Sequence, residues 1–320
     1  RRKSGGCPIK KSAGLDGRGN GKRSRKVTIA WAKAVKELSS SFPLPVLLKK
    51  AKLPKATFYW AIAHMDEDPD ADIKAKILEV FKENKGRYGV RRVCVALNDE
   101  EGDYKIKISH GRVQRLMHEM GLMGLRKKGK YKSYKGEIGK VAPNIVDRQF
   151  DVDHPNQAWG TDVSEFSVPS WGKAYFSPII DFYDGTIVAY DFSRHPDFAQ
   201  TMRMLRLAVK AQPLTAGIIL HSDQGWQYQM KPYQSFLEEY GIIQSMSRKG
   251  NCLDNAKTEN LFGRMKVEMF YGHEMEFDSF EKLKAAVDEY VQWYNSKRIK
   301  LKLKMSPEQF RRHLASEFVI

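Results

Sequence analysis

Cysteine is scarce in this 320-residue chain: Cys7, Cys94 and Cys252 stand far apart, with no C-x-x-C pair among them. That excludes a disulfide framework and a cysteine-based zinc site. The eight histidines are scattered as well and add no zinc motif. No apolar run approaches the roughly 18 to 20 residues that a membrane span needs. A signal-peptide pattern is missing too. The expected setting is therefore the cytoplasm, in association with the nucleoid, and no membrane partner is expected. The chain opens on Arg1 rather than Met, so it is expected to be trimmed or part of a longer product.

Positive charge is what the chain has in excess, +17 in all. Residues 1–150 hold 35 Lys and Arg against 16 Asp and Glu, a net of +19, whereas residues 151–320 hold 20 against 22, a net of −2. A basic half in front of a near-neutral half predicts a DNA-anchoring region that presents substrate to a separate active site.

Residues 1–26 are rich in Gly, Lys and Arg, with almost no apolar residues, and are expected to be a disordered basic tail. From 27 to 65 the pattern is helical. An apolar stripe (Ile29, Trp31, Ala34, Val35) is followed by a short helix from Pro45 to Ala51. A third helix opens at Leu53-Pro54-Lys55, with Pro54 near its first turn. This is helix-turn-helix grammar, with Lys55 and Thr57 first into a DNA groove and Phe58, Tyr59 and Trp60 packing the helices. Past an acidic linker, residues 73–125 read as a second unit of the same type. In it, Arg91 and Arg92 cannot both face inward, so one is expected to pair internally and the other to meet phosphate. Arg112, early in the helix from Ser109 to Met120, is a further DNA-contact candidate, and Gly121 reads as the end of that helix. Residues 126–154 are a basic linker carrying Tyr131 and Tyr134. It either lies along a DNA backbone or is a solvated tether.

Residues 155–275 change character to strand-helix alternation with a mixed sheet. Three carboxylates stand out there. Asp162 closes A-W-G-T-D in a strand-like stretch (159–168), where a carboxylate has weak propensity. Asp223 follows a short apolar strand, and Glu259 sits in a helix-like segment from Asp254 to Phe270. Sixty residues separate the first two and 35 the last two. Carboxylates brought together from strand, strand end and helix offer oxygen-only coordination of the kind Mg²⁺ takes. Two such ions clamp the attacking and leaving oxygens of a phosphodiester.

The blocks W-G-T-D-V-S-E-F, H-S-D-Q-G-W-Q-Y, S-M-S-R-K-G-N-C-L-D-N-A-K-T-E-N-L-F-G-R-M-K and Y-N-S-K-R-I-K…M-S-P-E-Q-F resemble consecutive blocks of the bacterial insertion-sequence transposases. The resemblance runs from about Lys74 to His313. It implies a retroviral-integrase-like catalytic core of ribonuclease H type, with a mixed five-stranded sheet, behind helix-turn-helix units. It also implies Asp162, Asp223 and Glu259 as catalytic ligands of two Mg²⁺ ions, with Mn²⁺ as a substitute. The implied partners are the terminal inverted repeats of a mobile element and its target DNA, bound by a homo-oligomer, dimer or higher. Members of the group are often made by a frameshift that fuses an upstream helix-turn-helix frame to the catalytic frame. The His/His/Cys/Cys zinc module of retroviral integrases is absent from the sequence.

Around the acids, Ser247, Arg248 and Lys249 are expected to approach phosphate. Asn255 and Lys266 share a helical stripe with Glu259 and Phe262, which makes both DNA-contact candidates. Asp254 is a candidate N-cap. Asp184, before Gly185, is a turn residue. Asp181 ends a buried strand, and Glu165 faces away from Asp162. His221 either packs inside or neighbours the metals. Residues 276–320 are expected to form a last amphipathic helix and a basic tail. Two other functions share parts of this pattern. A ribonuclease H-type nuclease would not need two helix-turn-helix units, and a DNA-binding regulator derived from a transposase would leave the acid triad idle.

Overall fold

The computed structural model describes residues 24–125, 142–147, 150–212, 217–248 and 252–317. The expected disordered tail up to residue 23, the basic stretch 126–141 and Lys249 lie outside the described residues. The chain divides into two compact bodies, Arg1–Ile73 and Lys74–Ile320.

The first body is three helices, α1 (Arg25–Leu38), α2 (Leu44–Ala51) and α3 (Lys55–Ala63). Ser24 caps α1 through its hydroxyl, which accepts from the Val27 amide at 3.4 Å. Trp31, Val35, Leu47, Leu48, Leu53 and Phe58 close the core. The turn into α3 is made by Lys52 in the left-handed region, φ 49°, which leaves only Leu53 and Pro54 before the next helix. Lys55 is exposed at the start of α3 and Thr57 is half-buried. One expectation is corrected here: Phe58 packs inside, but Tyr59 and Trp60 are 52% and 42% exposed. A nine-residue helix has one inward face, and Phe58 with Ala61 fills it.

The second body begins with α4 (Ala71–Glu83), α5 (Val90–Asn98) and α6 (His110–Glu119). Ser109 caps α6, and Gly121 follows its end at φ +68°, as its sequence position predicts. This helical unit belongs to the same compact body as the sheet that follows. Tyr88 Oη donates to the Lys297 carbonyl at 3.0 Å and accepts from the Ile299 amide at 2.9 Å. Trp293 Nε1 donates to Asn84 at 3.1 Å, so the unit is built onto the last third of the chain. The charge asymmetry is corrected with it. Divided where the structure divides, residues 1–73 hold 16 Lys and Arg against 7 acids and residues 74–320 hold 39 against 31, so both bodies are basic.

The sheet has six strands: β1 (Ala158–Thr161), β2 (Ser164–Val168), β3 (Gly172–Asp181), β4 (Ile187–Ser193), β5 (Ile219–Ser222) and β6 (Ile243–Met246). Five were expected. The difference is that the stretch 159–168 is one line of chain broken at Asp162-Val163. Its two halves pair with β3 in a single register, Thr161 opposite Ile179 and Ser164 opposite Phe176. Continued through the gap, that register sets Asp162 opposite Pro178, which has no N–H to offer the ladder. The other edge of β3 carries β4, and beyond β1 come β5 and β6, both parallel.

Helices α7 (Phe198–Ala211), α8 (Lys231–Glu239), α9 (Ala256–Met265), α10 (Phe280–Ser296) and α11 (Pro307–Glu317) complete the body. Trp159, Ile179, Leu205, Leu220 and Leu237 lie in the core between the sheet and α7 and α8. The C-terminal segment is part of this body. Tyr190 Oη donates to Asp288 at 2.8 Å, Asn295 pairs with both backbone groups of Ile187, and Arg311 reaches Asp181 at 2.7 Å. Among the described residues no helix is long and apolar enough to cross a membrane.

Candidate active site

The strand register brings the two aspartates together. Strands β1 and β5 run parallel with Gly160 level with His221. The same offset continued two residues sets Asp162 level with Asp223, each one residue past the end of its strand. Neighbouring strands lie ~4.8 Å apart, so both carboxylates leave the carboxyl ends of adjacent parallel strands, where open α/β sheets bind their ligands. Each is pinned by nearby backbone. Asp162 Oδ1 accepts from the Val163 amide at 2.7 Å and Asp223 Oδ1 from the Gly225 amide at 2.8 Å. A side chain at position 225 would come within 2.9 Å of that same Asp223 oxygen.

Glu259 enters from the first turn of α9. Gly160 permits this approach. A methyl group there would collide with the Phe182 ring and come within 2.8 Å of Thr258 Oγ1, the residue before Glu259. Gly160→Ala should overpack the junction at a cost of about 1–3 kcal/mol and move α9 off β1. A displacement of about 1 Å at a reacting centre costs ~10²-fold in rate. Thermal melts with single-turnover DNA cleavage check this, and a variant matching the parent in both would show that the close approach is dispensable.

The electrostatics at the two aspartates are those of clustered, buried acids. Burial, the Asp223 charge and the Glu259 charge raise the Asp162 carboxyl well above the ordinary carboxylate range, against the pull of the Val163 amide. Burial likewise raises Asp223. Among the described residues no cation is one of the groups acting on either. Tyr228 and Tyr233, both fully buried, help keep water away. Tyr228 feels both aspartates and Tyr233 feels Asp223, so burial and these charges push their hydroxyls up. Among the described residues no three acidic, His or Cys side chains are already gathered tightly enough to form a finished metal site. The two level aspartates are the preformed part, and the Glu259 charge reaches Asp162. A buried, all-oxygen, uncompensated acid pair fits a hard divalent cation.

Of the DNA-contact candidates, Asn255 does something other than expected. It is 3% exposed, and its Nδ2 donates to Asp162 Oδ2 at 3.2 Å. Its Oδ1 has no partner among the described residues. It therefore orients a carboxylate, and its burial keeps it from reaching DNA directly. Arg92 is committed inside the protein, with Nε donating to the Ile299 carbonyl at 2.9 Å and Nη1 in an ion pair with Glu268 at 3.8 Å, whereas Arg91 is exposed. Arg248 is half-exposed but engaged, with Asp254 at 2.9 Å and Asp147 at 3.0 Å. Asp254 is thereby a clamp rather than an N-cap; α9 has no side-chain cap bond. Lys266 does not continue the stripe, because α9 gives way to a π-helical turn at 266–270. Its ammonium lies 5.2 Å from the centre of the Phe166 ring, and burial lowers its pKa. Arg112 is exposed on α6.

The remaining polar residues are structural. His221 is fully buried, with Nδ1 at 2.9 Å from Ser245 Oγ and Nε2 at 2.9 Å from the Asp254 carbonyl, and burial lowers its pKa. Asp181 and Asp184 both pair with Arg311. The two tyrosines were missed in the sequence. Tyr228 stands five residues after Asp223 in H-S-D-Q-G-W-Q-Y, a signal that is readable only once the 3₁₀ turn of Trp226–Gln229 folds it under the acids.

Comparison with known proteins finds relatives along most of the chain. Residues 152–252 and 259–314 match integrase core domain families, and residues 67–130 match an HTH-like domain family. The chain is 45% identical over 281 residues to the putative transposase of insertion sequence element IS150 of Escherichia coli, covering 87% of this chain and 97% of that protein. It is 33% identical over 245 residues to the transposase of IS904 of Lactococcus lactis, covering 75% and 94%. Among solved structures, the HTLV-2 integrase catalytic core domain aligns at 16% identity with a TM-score of 0.40, covering 49% of this chain and 96% of that one. On these sequence matches, the chain belongs to the insertion-sequence transposases, built on an integrase core behind an HTH-like domain.

Proposed function

We propose that the protein is a DNA transposase that binds the terminal inverted repeats of an insertion sequence, cleaves strands there and transfers them to target DNA. The observation that carries this reading is the level, uncompensated pair Asp162 and Asp223 at the ends of β1 and β5, with Glu259 facing them from α9. Asp162, Asp223 and Glu259 would hold two Mg²⁺ or Mn²⁺ ions, which supply charge stabilisation and nucleophile activation for an in-line phosphoryl transfer. Asn255 sets the rotation of the Asp162 carboxylate. Tyr228 and Tyr233 keep the floor dry, which strengthens every charge interaction above it. Exposed Lys55 and half-buried Thr57 on α3, with Arg91 and Arg112 in the HTH-like unit, are the proposed DNA contacts, on a homo-oligomer assembled on DNA.

The test is strand cleavage by the full chain on duplexes that carry the element's ends. Cleavage at the repeat terminus that leaves a 3′-hydroxyl is expected with Mg²⁺ or Mn²⁺ and is expected to vanish with chelator. DNA bound tightly but left intact in the presence of either ion would overturn the reading in favour of a binding protein.

A further inference from the structure

Helix α9 has a second working face. Lys257, Asn260, Leu261 and Arg264 follow one another at helical spacing and line a pocket of about 380 Å³ on the side turned away from Glu259. The opposite wall comes from the segment after α10, with Arg298, Lys300 and Lys302 among its residues. Six cations and three aspartates surround this space, and the aspartates do not balance the cations. Asp181 and Asp184 are taken by Arg311, which is not among the lining residues. Arg92 and Arg298 are balanced by Glu268, and Lys302 pairs with Asp151 at 2.8 Å.

Lys257, Lys300 and Arg264 remain, with no ion pair to a carboxylate among the described residues. Lys257 donates to the Phe150 and Phe182 carbonyls and Lys300 Nζ to the Gly185 carbonyl at 3.0 Å, while Arg264 Nε donates to Asn260 Oδ1 at 2.9 Å. Carbonyls hold the amines in place without neutralising them. Position 185 is fitted to this arrangement, since a side chain on Gly185, already at φ +69°, would collide with the Lys300 ammonium.

We propose that this pocket seats a phosphodiester of duplex DNA, a backbone site separate from the carboxylate centre and one helix diameter, ~10 Å, behind it. The proposal rests on the transposase reading. A strand reacting at Asp162 and Asp223 cannot also fill the far side of α9, so the seat serves a neighbouring segment of backbone. That lets α9 be held by DNA on both faces when Glu259 engages.

The test uses the full chain with Arg264→Ser and Lys300→Ser combined, Arg264 being exposed and Lys300 half-buried. Binding to a duplex of arbitrary sequence is measured across a salt series. Two lost phosphate contacts should weaken binding at least tenfold and flatten the log–log salt slope by roughly 1.8, at about 0.9 per phosphate. The charge-keeping pair Arg264→Lys with Lys300→Arg should restore the slope, and equal melting temperatures show that the fold is intact. An unchanged slope and affinity would overturn the proposal, as would tripolyphosphate binding that depends on these residues while the DNA slope does not. If the parent chain cleaves element ends but the slope is unaffected, only the pocket fails; if the parent neither binds nor cleaves, the transposase reading fails first.

Discussion

Asp162→Asn is expected to reduce DNA strand cleavage by about three orders of magnitude or more, while making the metal-free protein more stable. Both effects have one cause. Burial, Asp223 and Glu259 all raise the Asp162 carboxyl, so its ionised form is the costly one in the folded state. For a group raised in this way the folded state holds the proton more tightly than the unfolded chain does. The cost is therefore full above the raised value and is relieved as pH falls through it toward the ordinary ~3.9 of aspartate. In chelator, wild-type melting temperature should rise on going from about pH 8 toward pH 5, and the asparagine variant should show a flatter profile and melt higher at neutral pH. Saturating divalent ion, at 100 times its dissociation constant, should stabilise the wild type by about 2.7 kcal/mol and the variant much less. Cleavage within tenfold of wild type, or a variant that melts lower in chelator, would remove Asp162 from the site.

That Asp162 and Asp223 converge was legible in the sequence because a strand register underlies their spacing. Sixty residues separate Asp162 and Asp223, and the β1–β5 pairing offset makes that spacing level. What the sequence could not show is which cations already have partners. Arg92 meets a carbonyl 207 residues away and Arg298 a carboxylate 30 residues away, and no periodicity carries such information. Of Arg91 and Arg92 one was expected to pair internally, and which one turned inward depended on Ile299 and Glu268. The break at Asp162-Val163 was equally hidden, because the residue set opposite it by the register, Pro178, lies on the next strand over. The division of charge into halves misled for the same reason. Residues 74–125 look like a free basic module until Tyr88 and Asn84 meet α10 and the segment after it.

That junction predicts the largest loss of stability in the molecule. Glu268 and Arg298 are 7% and 3% exposed and joined by two hydrogen bonds, 2.8 and 2.6 Å, with Tyr290 Oη donating to the same carboxylate at 2.8 Å. Burial alone would raise Glu268, but Arg298, Tyr290 and Arg92 hold it below its ordinary range. Burial opposes the charge on Arg298 too, yet Glu268 raises its pKa. Arg298→Met would leave a buried carboxylate without its main partner, with Arg92 at 3.8 Å as the remaining ion-pair contact. Breaking such a pair costs about 3–5 kcal/mol. Replacing both, Glu268→Leu with Arg298→Met, removes both charges and should recover a large part of that loss, since buried pairs gain little over well-packed apolar groups. Because Glu268 is depressed, its contribution is present above the unfolded value of ~4.3 and fades as pH falls through the folded one. The Arg298→Met variant should accordingly lose part of its acid sensitivity. Arg87, whose Nε donates to the Glu268 carbonyl at 3.0 Å, ties the HTH-like unit to this point, so protection of residues 74–125 from protease should fall together with global stability. Equilibrium urea unfolding of the two single variants and the double variant gives the coupling energy. A coupling below about 1 kcal/mol, the range of exposed ion pairs, would mean that the junction is held by the packing of Tyr88, Tyr290 and Trp293 and not by charge.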